Sequence, residues 1–414
     1  MKYDQEDPLF QKLNLGPHIF PGFWHYMFPR EFLNLDFPDE RRSTCMDCPK
    51  VLEEKWRKDF RCCTYHPRVP NFALGLALHT DDGKRAITAA KKLGVLIPEG
   101  MNHSPNQYVD YLDDLEDDLF GKSQRVLCPM LERSNGFCNI HAFRNSVCST
   151  FFCTKDHGSI GDKFWEAVQV LGAQVEIALS QWCLTELGFS IHDYIDELNG
   201  FAKKMDQVCD PNSRGFSENA LKRFWGKFYG REFELYKRCA ELVSDHRDYL
   251  WEIANEAEII DAKKYDQANL KHVPKRLAHQ IDEEDWDDDG DAIKPQDLWD
   301  KCAKLYQRIW KIPDHELVIN PRAALGANNQ ESSLDQKYQD RPFQVTLFER
   351  RQSKKVDDRI YLSPVEYDML KGFEESRSIT WRFLADPKWK KHPSPKRFLA
   401  ELSQKKILIK TKAP

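Results

Sequence analysis

Eight of the twelve cysteines of this 414-residue chain (Cys45, Cys48, Cys62, Cys63, Cys128, Cys138, Cys148 and Cys153) fall within about a quarter of its length. The other four, Cys183, Cys209, Cys239 and Cys302, are scattered, as small core residues are. Clustered thiols mean disulfides in an oxidising compartment and metal ligands in a reducing one. The acidic, polar start Met1-Lys2-Tyr3-Asp4-Gln5-Glu6-Asp7 has no apolar signal region, and no stretch reaches the ~18 apolar residues of a membrane span. The expectation is therefore a cytoplasmic protein with no membrane partner, whose cysteines bind metal.

The spacing divides the cysteines into two groups. Cys45-Met46-Asp47-Cys48 is a C-x-x-C pair, in which two thiolates reach one metal from a single turn. Thirteen residues later comes Cys62-Cys63-Thr64-Tyr65-His66-Pro67. Neighbouring side chains in an extended segment point to opposite faces, so Cys62 and Cys63 serve different metals or one of them is not a ligand. The second group is Cys128-Pro129, a turn at Ser134-Asn135-Gly136, then Cys138, Arg144, Cys148 and Cys153. The Gly136 turn predicts a hairpin that folds Cys138 back toward Cys128. His66, His141 and His157 stand nearby as nitrogen ligands in reserve, although a histidine beside cysteines is more often hydrogen-bonded scaffold. With more than four thiolates, and without the paired C-x-x-C…C-x-x-C of a zinc ribbon, an iron–sulfur cluster (4Fe–4S) is favoured over zinc.

These residues resemble the YkgJ-type cysteine-cluster family, described as a zinc- or iron-chelating domain. The resemblance covers roughly residues 44–156 and rests on Cys45, Cys48, Cys62, Cys63, Cys128, Pro129, Gly136, Cys138, Ile140, Arg144, Cys148 and Cys153. It implies metal binding without specifying a reaction. Two features depart from the family: the thirteen-residue gap before Cys62, and Asn145 in place of a proline. A more distant likeness is to flagellin lysine-N-methylases, which would make the chain a metal-dependent enzyme acting on a protein or peptide. A zinc-stabilised interaction module is the third alternative, and enzyme status stays open because no other catalytic motif is present.

Beyond the cysteines the fold class reads as mainly α, with an irregular Cys-rich domain and a small α+β winged-helix-like C-terminal domain. The segments are an N-terminal arm over 1–43, the Cys-rich domain over 44–157, a helical region over 158–325 and the winged-helix-like domain over 340–414. An acidic linker at 282–291 interrupts the helical region. Periodicity predicts helices over 85–97 and 107–120, the latter with its Asp113–Asp118 charge run as a solvated face. Phe164, Val168, Leu171, Val175, Leu179 and Trp182 predict a long helix ending near Gly188. A second long helix is read from Ser217 through Leu242, and a third over 298–309.

Alternation at Phe343, Val345 and Leu347 and again over Arg359–Leu362 predicts a hairpin, followed by helices from Ser363 and Ser394 and a strand at Ile407–Ile409. This order is similar in outline to small peptide-binding domains of the PqqD type, which would present a peptide to the metal domain. Asp285, Asp287, Asp289, Gly290 and Asp291 match the start of a calcium loop, but Gln296 stands where its bidentate Glu belongs. From Ser376 onward eleven Lys and Arg face only Asp386 and Glu401, the one place where nucleic acid could bind. The net charge of −5 argues against it, and a solvated basic face is the simpler reading.

Overall fold

The computed structural model describes residues 7–16, 18–35, 37, 62–117, 119–152, 158–202, 208–257, 259, 293–309, 317–319, 323–327, 343–348, 356–376 and 395–410. It is mainly helical with small sheets. Contacts gather the chain into two units. The first comprises residues 1–153 with 166–300, and the second 154–165 with 301–414.

The first unit opens with an antiparallel pair, β1 (Lys12–Leu15) and β2 (His18–Pro21), and two single-turn helices, α1 (Trp24–Met27) and α2 (Arg30–Leu33). The aromatic residues of this stretch are core. Phe20 stacks on Trp24 at 4.5 Å and Phe28 on Phe32 at 4.3 Å, and all four rings are buried. Next come β3 (Val69–Pro70), α3 (Asn71–Ala77), α4 (Asp81–Leu93), β4 (Leu96–Ile97) and β5 (Gly100–Met101). The predicted helix at 85–97 is α4. Thr80 caps its start by accepting from the Gly83 N–H, and Gly94 ends it in the left-handed region at φ 72°.

Helix α5 (Pro105–Glu116) begins with a capping box of Ser104 and Gln107. Its charge run is not a fully solvated face, however. Asp114 is buried beside Arg125, at 3.5 Å, and Asp110 is gripped by Arg214. A short hairpin follows, β6 (Leu131–Glu132) with β7 (Phe137–Cys138), then α6 (Ser146–Thr150), α7 (Gly158–Glu186) and α8 (Ile191–Ala202). The long helix predicted from Phe164 to Gly188 is α7. By contrast, the one predicted from Ser217 to Leu242 is two helices, α9 (Glu218–Trp225) and α10 (Glu232–Asp245). The break lies at Gly226, φ 47°, and Gly230, φ 81°, values outside right-handed helical geometry that glycine adopts because it has no β-carbon. Then come α11 (Leu250–Glu256) and α12 (Pro295–Ile309), the latter counted with the second unit from Lys301 onward.

Among the described residues, the most extensive helix contact sets α3 against α10. A β-carbon on Gly75 would lie 1.9 Å from the Tyr236 carbonyl oxygen and 2.8 Å from Ala240 Cβ. The Tyr236 hydroxyl donates to the Ile97 carbonyl at 2.8 Å, Trp225 Nε1 to Leu96 at 3.2 Å and Asn71 Nδ2 to Pro98 at 3.2 Å. Three buried side chains thus satisfy the carbonyls of the β4–β5 turn, which would otherwise carry a desolvation cost.

In the second unit, β9 (Ala323–Ala327), β10 (Phe343–Phe348) and β11 (Val356–Leu362) form an antiparallel sheet in the order β11-β10-β9. Separately, β8 (Leu317–Ile319) pairs with β12 (Leu408–Lys410). The predicted hairpin is β10–β11. Helices α13 (Pro364–Ser376) and α14 (Pro395–Gln404) supply Met369, Leu370, Phe398 and Leu402 to a core completed by Val345, Leu347 and Leu362. The acidic segment at 282–291 and most of the basic stretch after Ser376 lie outside the described residues.

Replacing Gly75 by alanine forces backbone to move, because the blocking atom is a carbonyl oxygen in a helix. The expected cost is about 3 kcal/mol, read as a fall in denaturation midpoint at unchanged slope.

Candidate metal centre

Cys63 and Cys128 are brought together by main chain. The Cys128 N–H donates to the Cys63 carbonyl at 2.8 Å, and two further bonds fasten the same segments: Gly121 N–H to Thr64 Oγ1 at 2.8 Å, and His66 Nε2 to the Leu127 carbonyl at 2.9 Å. The hairpin predicted at Gly136 is present. Gly136 adopts φ 68°, Leu131 pairs with Cys138, and the Asn139 N–H donates to the Met130 carbonyl at 2.8 Å. Cys148 lies in α6, whose cap Asn145 accepts from the Cys148 N–H at 3.2 Å. Asn145 is therefore the helix cap at the position where the resembled family has proline.

Four thiols from three stretches of chain share one electrostatic neighbourhood. Burial pushes the Cys128 thiol well up, and the neighbouring Cys63, Cys138 and Cys148 add to the effect. The Cys148 thiol is raised first by desolvation and then by Cys138 and Cys63. Part of the Cys148 residue reaches the surface even so, whereas Cys128 is buried and Cys63 and Cys138 are half-buried. Of the adjacent pair, Cys63 is one of these neighbours. Backbone N–H groups two residues downstream, those of Met130 and Ile140, donate to the sulfurs of Cys128 and Cys138 and favour their thiolates.

Arg144 is the cation of the site. Its Nη2 donates to the Ile19 carbonyl at 2.6 Å and its Nε to Ser149 Oγ at 3.2 Å, which leaves the guanidinium beside Cys148 and Cys138. Its Nη1 bonds His141 Nε2. Desolvation, then Arg144 and Lys12, hold His141 at about 4, so the ring is neutral and spends its Nε2 lone pair on arginine. His66 is likewise a buried scaffold residue through Leu127. Cys45, Cys48, Cys153 and His157 lie outside the described residues.

The donor chemistry suits a thiophilic metal, because neighbouring thiols give up their protons most readily to a cation that soft sulfur ligands favour. The spacing is looser than a closed site: among the described residues no group of three or more His, Cys, Asp or Glu side chains is drawn close enough to hold a metal ion.

Two site residues carry no motif signal. Tyr65 sits beside Cys148 and Tyr111, its ring 4.7 Å from the latter. Glu176 is buried beneath α6, where its Oε1 accepts from Ser146 N–H at 2.8 Å and Ser146 Oγ at 2.7 Å. Burial raises it to about 8 despite both bonds. Its only sequence signal is a carboxylate flanked on the helix by Gly172 and Ser180, close to the apolar stripe.

No family model matches the chain, and neither a characterised protein nor a solved structure is significantly similar to it. Among the described residues no helix is long and apolar enough to cross a membrane.

Glu176 yields a signed pH dependence. Its folded value lies above its unfolded one, so its contribution to stability is complete below the unfolded value and is lost as pH rises toward about 8. Both Ser146 bonds go to one oxygen, which a glutamine carbonyl retains. Glu176→Gln should match the parent near pH 4 and exceed it by a few kcal/mol near pH 9, measured by denaturant melts at both. Equal pH slopes would show that this carboxyl titrates alike in the folded and unfolded protein, its pKa unshifted.

Proposed function

We propose that this chain is a metalloprotein that holds an iron–sulfur cluster, of the 4Fe–4S kind, through Cys63, Cys128, Cys138 and Cys148, with zinc as the alternative occupant. The observation that carries the reading is the gathering of Cys63, Cys128, Cys138 and Cys148 from separated stretches, with the Arg144 guanidinium beside Cys138 and Cys148. Cys45, Cys48, Cys62 and Cys153 belong to the proposal on their sequence alone. When bound, a cluster supplies one-electron transfer, whereas zinc supplies cross-linking or Lewis acidity. Within the chain, the Met130 and Ile140 N–H groups stabilise the thiolates, and Arg144 offsets their negative charge. A reducing, cytoplasmic setting accords with free thiols.

A second reading is a metal-dependent enzyme acting on a protein or peptide. It is favoured by the exposure of Phe137 (63%) and Phe151 (51%), close in sequence to Cys138 and Cys148. In that case the second unit, with the hairpin, helix, helix and strand order of a winged helix, would be the peptide-holding part.

Anaerobic purification followed by iron, sulfide and zinc analysis tests both readings. Visible absorption with stoichiometric iron and sulfide is the expected result, and a colourless protein carrying zinc selects the alternative. Cys128→Ser should lower bound metal severalfold, whereas Cys183→Ser, in the helical core, should leave it unchanged. Folded protein free of either metal under these conditions would sink the proposal.

A further inference from the structure

A cavity of about 510 Å³ lies apart from the thiols, between the end of α7, the start of α8 and the end of α9. Its shape comes from two chain reversals. Helix α7 closes with Gly188 at φ 82°, the Gly188 N–H bonding the Thr185 carbonyl at 2.9 Å and the Phe189 N–H the Leu184 carbonyl at 3.0 Å. Opposite, Gly226 breaks the helical run, and a β-carbon there would meet nothing within 4 Å. Phe189, Tyr194 and Phe224 form the apolar wall, with Phe189 stacked on Phe228 at 5.8 Å and Tyr194 edge-on to Phe224 at 6.4 Å.

Four charged side chains line this cavity: Asp193, Glu197, Arg223 and Lys227. Glu197 and Arg223 form an ion pair with each other. That leaves one charge of each sign. Lys227 Nζ donates one bond, to the Leu187 carbonyl at 3.1 Å, and an ammonium has three to give. Lys227 lies over the Phe228 ring at 5.4 Å, as does Arg238 at 5.9 Å, while Arg231, at 5.5 Å, is paired with Glu234. Asp193 has no ion-pair partner among the described residues. The depression is open to solvent and sets the exposed Asp193 and Lys227 beside an aromatic wall, a combination that suits a small amphipathic molecule.

We propose that the cavity binds a free α-amino acid with an aromatic or large apolar side chain. Its carboxylate would meet Lys227, its ammonium Asp193, and its side chain Phe189 and Tyr194. The inference is independent of the metal reading, since none of these residues belongs to the thiol set.

Calorimetric titration of the full chain with L-phenylalanine is the test, alongside N-acetyl-L-phenylalanine, which lacks the ammonium, and L-phenylalaninamide, which lacks the carboxylate. Saturable binding of the free amino acid is expected, weakened about tenfold or more by either block. Asp193→Asn should abolish discrimination against the acetylated compound, and Lys227→Met discrimination against the amide. Lys227→Arg, which preserves the charge and a donor for Leu187, should retain binding and guards against a Lys227→Met variant that fails to fold. Absence of saturable heat from L-phenylalanine and every other standard amino acid would overturn the proposal. So would equal affinity for the blocked compounds, or tighter binding of a peptide C-terminus than of the free amino acid.

Discussion

The arrangement depends on how closely α3 lies against α10. With no side chain on Gly75, the two backbones come into contact, and the Tyr236 hydroxyl then reaches across to the β4–β5 turn. Helix α3 continues backward through β3 into residues 62–68, so its position fixes where Cys63 and Thr64 stand. From there three hydrogen bonds hold the segment leading to Cys128. A steric constraint in the helical core therefore propagates, through short and well-bonded chain, to the placement of two thiols.

Around those thiols the polar groups divide the work. Main-chain N–H groups and Arg144 favour charge on sulfur, while burial opposes it. Glu176, held protonated by burial at neutral pH, adds a hydrogen-bonded floor under α6 without adding a negative charge. His141 contributes by steadying the guanidinium, a supporting role of the kind that orients a functional group without touching its ligand.

Much of this was legible in the sequence, for identifiable reasons. The stripe from Phe164 to Trp182, the start of a helix at Ser217 and the Gly136 turn are local signals, and they specify local structure, whereas the helix read over 85–97 begins earlier, at Asp81. What failed to show depends on distant partners. The 217–242 run keeps helical periodicity across Gly226, because apolar spacing alone does not register a glycine taking positive φ. Asp114 looks solvated in its acidic run until Arg125 folds onto it, and Glu176 looks like a surface residue until α6 covers it. That Cys63 lies next to Cys128 depends on a hydrogen bond between segments 65 residues apart, which no local pattern announces.

The long reach of the Tyr236 bond bears on how the molecule assembles. Its two ends are separated by 139 residues, so the contact that positions the first thiol cannot form until most of the first unit has left the ribosome. Non-local closure of this kind is slow compared with helix formation. The emerging chain therefore exposes Cys63 and Cys128 before the helical core that positions them can close.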